Sequence, residues 1–276
     1  MSEASESVHR VETCTVAAVR RVAAMLNIES ERMVDGDPLP RGWHFVLMGA
    51  DTPRATLRAD GFPGLGVAMP DLGLPRLMLG GRAVSYRHDI PIGATVHRTS
   101  AVRSIVRKDT DAGPMAIAKI AHELRIATRD EPAVTEEQTY LLLGSRKATA
   151  EDRAAQAAPP LLPDERTQVV VPDDTLLFQY SALGFNSHKI HLDRAHAQEV
   201  EGFPDLVVNG GLATLLLTEF LRRDLKAVPA ALKVRHLLPL YCNRPITLTA
   251  RRERMRWRLG ALDDKNFPAV EMEVEI

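Results

Sequence analysis

The chain has 276 residues, 45% of them hydrophobic and 26% charged, with a formal net charge of -1. This is the composition of a globular protein of one large or two ordinary domains, and the near-neutral balance argues against a nucleic-acid or membrane-surface partner. Cys14 and Cys242 stand far apart and in no metal-ligand pattern, which predicts unpaired thiols, no bound metal and a reducing, cytoplasmic location.

The opening residues, Met1 to Ser7, are polar and acidic and do not read as a secretion signal. No apolar run reaches the roughly 18 residues of a membrane span, so none is expected. Thr13 to Asn27 places Val16, Val19, Val22, Ala23 and Leu26 at helical spacing. A turn-rich segment from Asp35 to Gly42 precedes Trp43 to Met48, and Gly and Pro crowd residues 61 to 75, which predicts a loop there. From Arg82 onward the pattern is that of strands, at Thr95 to Val106, Met115 to Ala127 and Glu136 to Leu143.

Residues 146 to 166 are rich in Ala, Pro and charge, which is linker composition. They divide the chain into an N-terminal half, 1 to 145, and a C-terminal half, 167 to 276. The second half opens on an apolar run at Leu176 to Tyr180, read as a strand. A turn follows that carries Asn186, His188 and His191. A helix is predicted from Gly211 to Leu225, apolar almost all round and therefore buried. Strands are expected at Ala231 to Leu238, Ile246 to Arg254, Met255 to Leu262 and Ala269 to Ile276. A lone buried helix followed by antiparallel strands predicts a sheet curled around it, an α+β fold. The halves also read as a degenerate repeat, with Tyr86 to Val96 in register with His236 to Ile246.

The chemistry-bearing stretch is Tyr180-Ser181-Ala182-Leu183-Gly184-Phe185-Asn186-Ser187-His188-Lys189-Ile190-His191-Leu192-Asp193. A neutral imidazole suits proton transfer near neutral pH. An amide holds a water or a hydroxyl. The start of the helix at Gly210 and Gly211 offers free N–H groups to a developing oxyanion.

This stretch resembles the hydratase segment of the MaoC-like dehydratases. Within them it is most similar to the subgroup of mitochondrial-type 3-hydroxyacyl-thioester dehydratases and mesaconyl-C4-CoA (itaconyl-CoA) hydratases. Tyr180, Ser181, Ala182, Phe185, Asn186, His188, Ile190, His191 and Asp193 match that subgroup. Glu201 to Val208 resembles its approach to the central helix, and Gly36 to Pro40 with Trp43 and His44 resembles its first half. The wider family has Asp where this chain has Asn186 and Asn where it has His188. The subgroup has His-Gly-Pro where this chain has Asn209, Gly210 and Gly211.

The resemblance implies a double hotdog, two halves each with a central helix wrapped by an antiparallel sheet, the first having lost the catalytic motif. It also implies reversible hydration of an α,β-unsaturated or 3-hydroxyacyl thioester, with coenzyme A as part of the substrate and no separate cofactor. His191 is then the acid–base group and Asn186 the holder of water or hydroxyl. His188 is a second acid–base group or the partner that fixes the tautomer of His191. Asn209, Gly210, Gly211 and Tyr180 bind the thioester. A carboxylate on the acyl group or the coenzyme A phosphates would need cations, for which Arg235, Lys189, Arg194, Arg251, Arg252 and Arg254 are available. Trp43 and His44 are packing residues in the first half, and Asp193 orients the turn or caps a helix. Family likeness also implies a homo-oligomer, expected as a dimer. Two rival readings stay open: a 3-hydroxyacyl-carrier-protein dehydratase, and a non-catalytic thioester-binding partner subunit.

Overall fold

The computed structural model describes residues 7–111, 113–144 and 165–276. In the first part of the chain β1 (Val8–Thr13) leads into α1 (Val16–Met25). After a series of short turns come β2 (Arg76–Tyr86), β3 (Thr95–Thr110), β4 (Gly113–Ile126) and β5 (Val134–Leu143). The second part repeats that order: β6 (Arg166–Val170), α2 (Asp174–Leu183), α3 (Gly210–Arg223), then β7 (Ala231–His236), β8 (Ile246–Glu253), β9 (Arg256–Leu262) and β10 (Pro268–Glu275). These strands form one antiparallel sheet in the order β1-β3-β4-β5-β2-β7-β10-β9-β8-β6. Read inward from either end, the sequence of strands is first, third, fourth, fifth, second. The two parts are therefore related by an approximate two-fold at the β2–β7 seam.

The backbone carries the repeat more clearly than the side chains do. Pro38 bridges to Pro91 in the first half as Val207 bridges to Tyr241 in the second. The Leu39 N–H donates to Ile90 O at 2.8 Å, and the Val208 N–H donates to Leu240 O at 2.8 Å. The register that pairs Ile90 with Leu240 thus places Trp43 where α3 begins. There the first half has only a 3-10 turn of 5 residues, Trp43–Leu47. Gly49 and Pro53 follow within one or two turns and oppose a longer helix.

α3 is the core of the molecule. Leu212, Leu217 and Leu221 are fully enclosed, and each contributes about 1.5–3 kcal/mol by leaving water. Arg222 and Arg223 lie in its last turn, where the helix dipole favours cations. The first half is tied to this helix by the buried Trp43 indole, whose Nε1–H donates to Glu219 Oε1 at 2.8 Å. At the seam Gly81 pairs with Arg235. A Cβ on Gly81 would lie 2.5 Å from the Val234 carbonyl, so only glycine lets β2 approach β7 this closely.

Two expectations change, and a third falls mostly outside the described residues. Leu176 to Tyr180 is not a strand but part of α2: Asp173 caps the helix by accepting the Leu176 N–H at 2.8 Å, and Leu177, Tyr180 and Ser181 are the buried face. A short apolar run fits either period, and the capping aspartate decides it. The long helix is Gly210–Arg223, one residue earlier at its start and two earlier at its end. The expected linker, 146 to 166, lies outside the described residues except at its last two, and Arg166 already begins β6.

Candidate active site

α2 ends in a Schellman turn. The Asn186 N–H donates to Ser181 O at 2.8 Å and the Phe185 N–H to Ala182 O at 3.2 Å. Phe185 takes the left-handed position at φ 48°, where glycine is usual. This reversal delivers Asn186, whose Oδ1 accepts the His188 N–H at 3.1 Å. Its carbonyl-type oxygen is thereby used, and the Nδ2 donors remain for a ligand. A 3-10 turn, Lys189–His191, follows with His188 at its N-cap. Positions three apart eclipse in such a turn, so the His188 and His191 rings sit 5.5 Å apart and at 86°.

The segment before α3 holds this turn. The Val207 N–H donates to Ile190 O at 2.9 Å, and the Val207 carbonyl meets His191 Nδ1 at 2.7 Å. A carbonyl only accepts, so Nδ1 carries the proton and Nε2 is the bare, basic nitrogen. Burial, with His188 beside it, lowers the His191 pKa to about 3. His188 is lowered by burial to about 4, opposed by Asp60, whose Oδ2 lies 3.7 Å from His188 Nε2. Both rings are neutral at neutral pH.

α3 supplies the other side. Its ladder opens with the Ala213 N–H bonding to Asn209 O at 3.0 Å, so the amides of Gly210, Gly211 and Leu212 precede it. Asn209 is at the N-cap, but its side chain makes no cap hydrogen bond. Its Nδ2 donates instead to Ser181 Oγ at 3.2 Å, and its Oδ1 is buried without a partner. The Tyr180 hydroxyl stands 2.1 Å from where a Cβ of Gly211 would be, and a Cβ on Gly210 would lie 3.2 Å from both His236 and Leu79. A side chain at 211 collides with Tyr180, and one at 210 is crowded by its neighbours. Tyr180 is fixed from below by stacking on Phe45, with ring centroids 4.6 Å apart, and burial raises its pKa to about 12.

Asn186, His188, His191, Tyr180, Asn209, Gly210 and Gly211 all line one cavity of about 360 Å³. A neutral imidazole with a bare nitrogen therefore shares a small space with unladdered helix amides and an amide donor. That arrangement can move a proton beside a carbonyl whose oxygen is held by N–H groups.

None of the six expected cations is brought there. Arg235 is next to His236 on a strand, so the two side chains take opposite faces. His236 lines the cavity, while Arg235 is 66% exposed and pairs with Glu271 at 3.1 Å. Lys189 donates through Nζ to Ala59 O at 2.8 Å and does not line the cavity. Arg194 pairs with Asp205 at the surface and Arg251 with Glu253, and neither lines the cavity, nor do Arg252 and Arg254. Asp193 caps the next turn, accepting the His196 N–H at 3.0 Å. Arg82, His236 and Asp60, which the sequence pattern does not single out, also line the cavity. No local pattern marks them, because β2, β7 and the loop before β2 meet the motif only in the folded chain.

The family model for hydroxyacyl-thioester dehydratase type 2 matches residues 42–242. The chain belongs to the hydroxyacyl-thioester dehydratase type 2 family. It is 32% identical over 265 residues to the mesaconyl-C(4)-CoA hydratase of Chloroflexus aurantiacus, covering 96% of this chain and 93% of that one. In fold, the type 2 dehydratase described here matches a MaoC-like dehydratase from Phytophthora capsici with a TM-score of 0.73 at 13% identity, over 99% of this chain and 95% of the other. It also matches a Mycobacterium tuberculosis protein with a double hotdog fold, with a TM-score of 0.60 at 13% identity over 99% and 96% of the two chains. The type 2 dehydratase is thus a double hotdog and a hydro-lyase, which adds and removes water across the α,β bond of an acyl thioester.

Proposed function

We propose that this enzyme hydrates a short α,β-unsaturated acyl-CoA reversibly, with a substrate most like mesaconyl-C4-CoA, and that the cavity between the Asn186–His191 turn and α3 is its active site. The likeness to the Chloroflexus hydratase along nearly the whole chain supports the substrate class. One observation carries the assignment of the site: His191 is held as the tautomer whose Nε2 is bare, on the cavity into which α3 opens.

In the dehydration direction, His191 Nε2 takes a proton from the α carbon, and the electron pair of that C–H bond delocalises onto the thioester oxygen. The amides at Gly210 and Gly211 bind that oxygen as charge grows on it. The β C–O bond then breaks, and the proton on Nε2 leaves with the hydroxyl as water. Asn186 Nδ2 holds the hydroxyl, and His188 positions the turn from its place between Asp60 and His191. Hydration is the reverse. The low pKa of His191 keeps it unprotonated before the substrate arrives, and enolate charge beside it raises its proton affinity as the transfer proceeds.

The reaction as proposed uses no cofactor beyond the coenzyme A of the substrate. We read the chain as a cytoplasmic homodimer; its buried free cysteines, Cys14 and Cys242, support a reducing compartment, and sedimentation velocity reads the dimer directly. The decisive experiment is turnover of mesaconyl-C4-CoA and crotonyl-CoA by wild type and His191→Ala. Loss of hydration in the variant is expected. Undiminished turnover would remove His191 from the mechanism.

A further inference from the structure

A row of buried polar side chains crosses the inner face of the first half. Ser100 stands opposite His122 on β3 and β4, and His122 opposite Glu136 on β4 and β5. Arg82 on β2 pairs in register with Gln138, which makes Glu136 its diagonal neighbour on the same face. The Glu136 carboxylate is 2% exposed. One of its oxygens meets His44 Nε2 at 2.8 Å, and the other accepts from Gln138 Nε2 at 2.8 Å. Arg82 approaches the carboxylate only to 3.4 Å.

The Arg82 side chain is 11% exposed and lines the active-site cavity. It makes no hydrogen bond among the described residues, and its Nε is buried without a partner. One guanidinium nitrogen lies 3.4 Å from where a Cβ of Gly211 would be, beside the Tyr180 hydroxyl. Glu136 holds it charged, outweighing burial. Glu136 balances the charge without accepting a hydrogen bond from Arg82, and a buried guanidinium with unpaired donors is costly unless a ligand takes them. A thioester oxygen does not need it, because it is a single oxygen already served by the helix amides. A carboxylate matches it: the group is planar and anionic, and accepts two parallel N–H bonds. The walls beside it, Leu79 and Leu141 among them, suit the few carbons in between.

We propose that Arg82, with the Tyr180 hydroxyl, is the specificity-determining group that binds the free carboxylate of a mesaconyl-type acyl group and so selects half-thioesters of short dicarboxylic acids over apolar acyl chains. This deepens the function proposed above and rests on that cavity being the active site. The first half, which lacks the motif, thereby sets acyl specificity in the second half by sending β2 across the seam. A wholly apolar acyl chain of the same length would leave the guanidinium unsatisfied and is selected against.

The test separates binding from turnover. Affinity is measured by calorimetry for succinyl-CoA and butyryl-CoA, which differ in a carboxylate for a methyl and contain no double bond to hydrate. Wild type is expected to prefer succinyl-CoA by at least about 30-fold, the effect of a buried charge-assisted pair. Arg82→Gln should bring the ratio near one. Because that change strands Glu136, the double variant Arg82→Gln with Glu136→Gln is measured too and should give the same ratio, while Arg82→Lys keeps part of the preference. A wild-type ratio near one overturns the proposal, and so does an equal loss of both affinities in Arg82→Gln with the ratio preserved. The hydration reading is judged by the turnover of mesaconyl-C4-CoA and of 3-methylcrotonyl-CoA, its methyl twin. A preserved binding preference without turnover of either sinks hydration alone, and turnover of both at equal efficiency sinks the carboxylate site alone.

Discussion

The Val207 carbonyl accepts the Nδ1 proton of His191 at 2.7 Å. Val207 belongs to the segment that runs into α3, and His191 to the turn that follows α2. One hydrogen bond therefore fixes the tautomer and also the position of the imidazole relative to the helix amides. The Val207 N–H holds the same turn from its other side, through Ile190 O.

Replacing His191 with Ala removes the proposed base. Hydration should slow by about 10² to 10⁴-fold. His191→Gln has a donor for the Val207 carbonyl but no basic nitrogen, so it should melt nearer to wild type than His191→Ala while remaining as slow. Rates and melting curves of the two variants check this. A fast His191→Gln enzyme would show that a hydrogen bond, not a base, is needed at this position.

Acid should destabilise the protein well above the carboxylate range. His122 and His188 are lowered to about 4, and His191 and His236 to about 3, in each case chiefly by burial. An unfolded imidazole titrates near about 6.5. Between that value and 3 to 4 the unfolded chain binds protons that the folded chain refuses. Stability is therefore full above about 6.5 and falls as pH drops, by up to about 1.4 kcal/mol per pH unit for each histidine. The buried Glu136 carboxylate, held low by Arg82 and His44 against burial, adds to the loss at still lower pH. Urea midpoints at pH 7.5, 6 and 5 should decline. A flat series would mean that these rings are not buried as neutral groups.

Gly211→Ala should destabilise by about 1–3 kcal/mol, the range for overpacking, because the added methyl meets the Tyr180 hydroxyl. Tyr180→Phe placed in the same chain removes the colliding oxygen and should restore part of the loss. Non-additive melting temperatures in that double variant are the signature. Simple addition would place the two groups out of contact.

Asn186→Asp keeps an oxygen to accept the His188 N–H, whereas Asn186→Ala does not. The alanine variant should lose about 0.5–1.5 kcal/mol, as for an ordinary hydrogen bond, and the aspartate variant little of that. The new carboxylate also lies near two neutral imidazoles, so their pKa values should rise. NMR titration of the ring protons reads this. Unmoved histidine titrations in Asn186→Asp would place residue 186 away from both rings.

Gly81→Ala tests the seam. Its Cβ would stand 2.5 Å from the Val234 carbonyl, which is backbone and has no rotamer to yield. Loss of cooperative unfolding, or a large drop in melting temperature, is expected. A variant as stable as wild type would show that β2 and β7 do not approach as described.

The motif, the greasy helix and most of the strands were legible in the residue pattern, because each depends on neighbours a few positions away. The repeat was legible too, through Ile90 and Leu240, whose carbonyls bind equivalent N–H groups. The run Leu176 to Tyr180 is ambiguous in sequence because a few apolar residues fit both periods and the aspartate that caps them lies outside the run. The facing of the cations is hidden for a different reason. Arg235 and Lys189 are close to the motif or α3 in sequence or space, but strand alternation and a bond to Ala59 turn them away. Arg82 lies about a hundred residues before His191 and reaches the cavity only because Gly81 lets β2 pair with β7. Sequence by itself determined most of the local elements and the turn that carries Asn186, His188 and His191, since backbone periodicity and capping are short-range effects. Only the tertiary structure decided which charges line the cavity, because that depends on how strands of the two halves pair, and neither strand's own spacing names its partner.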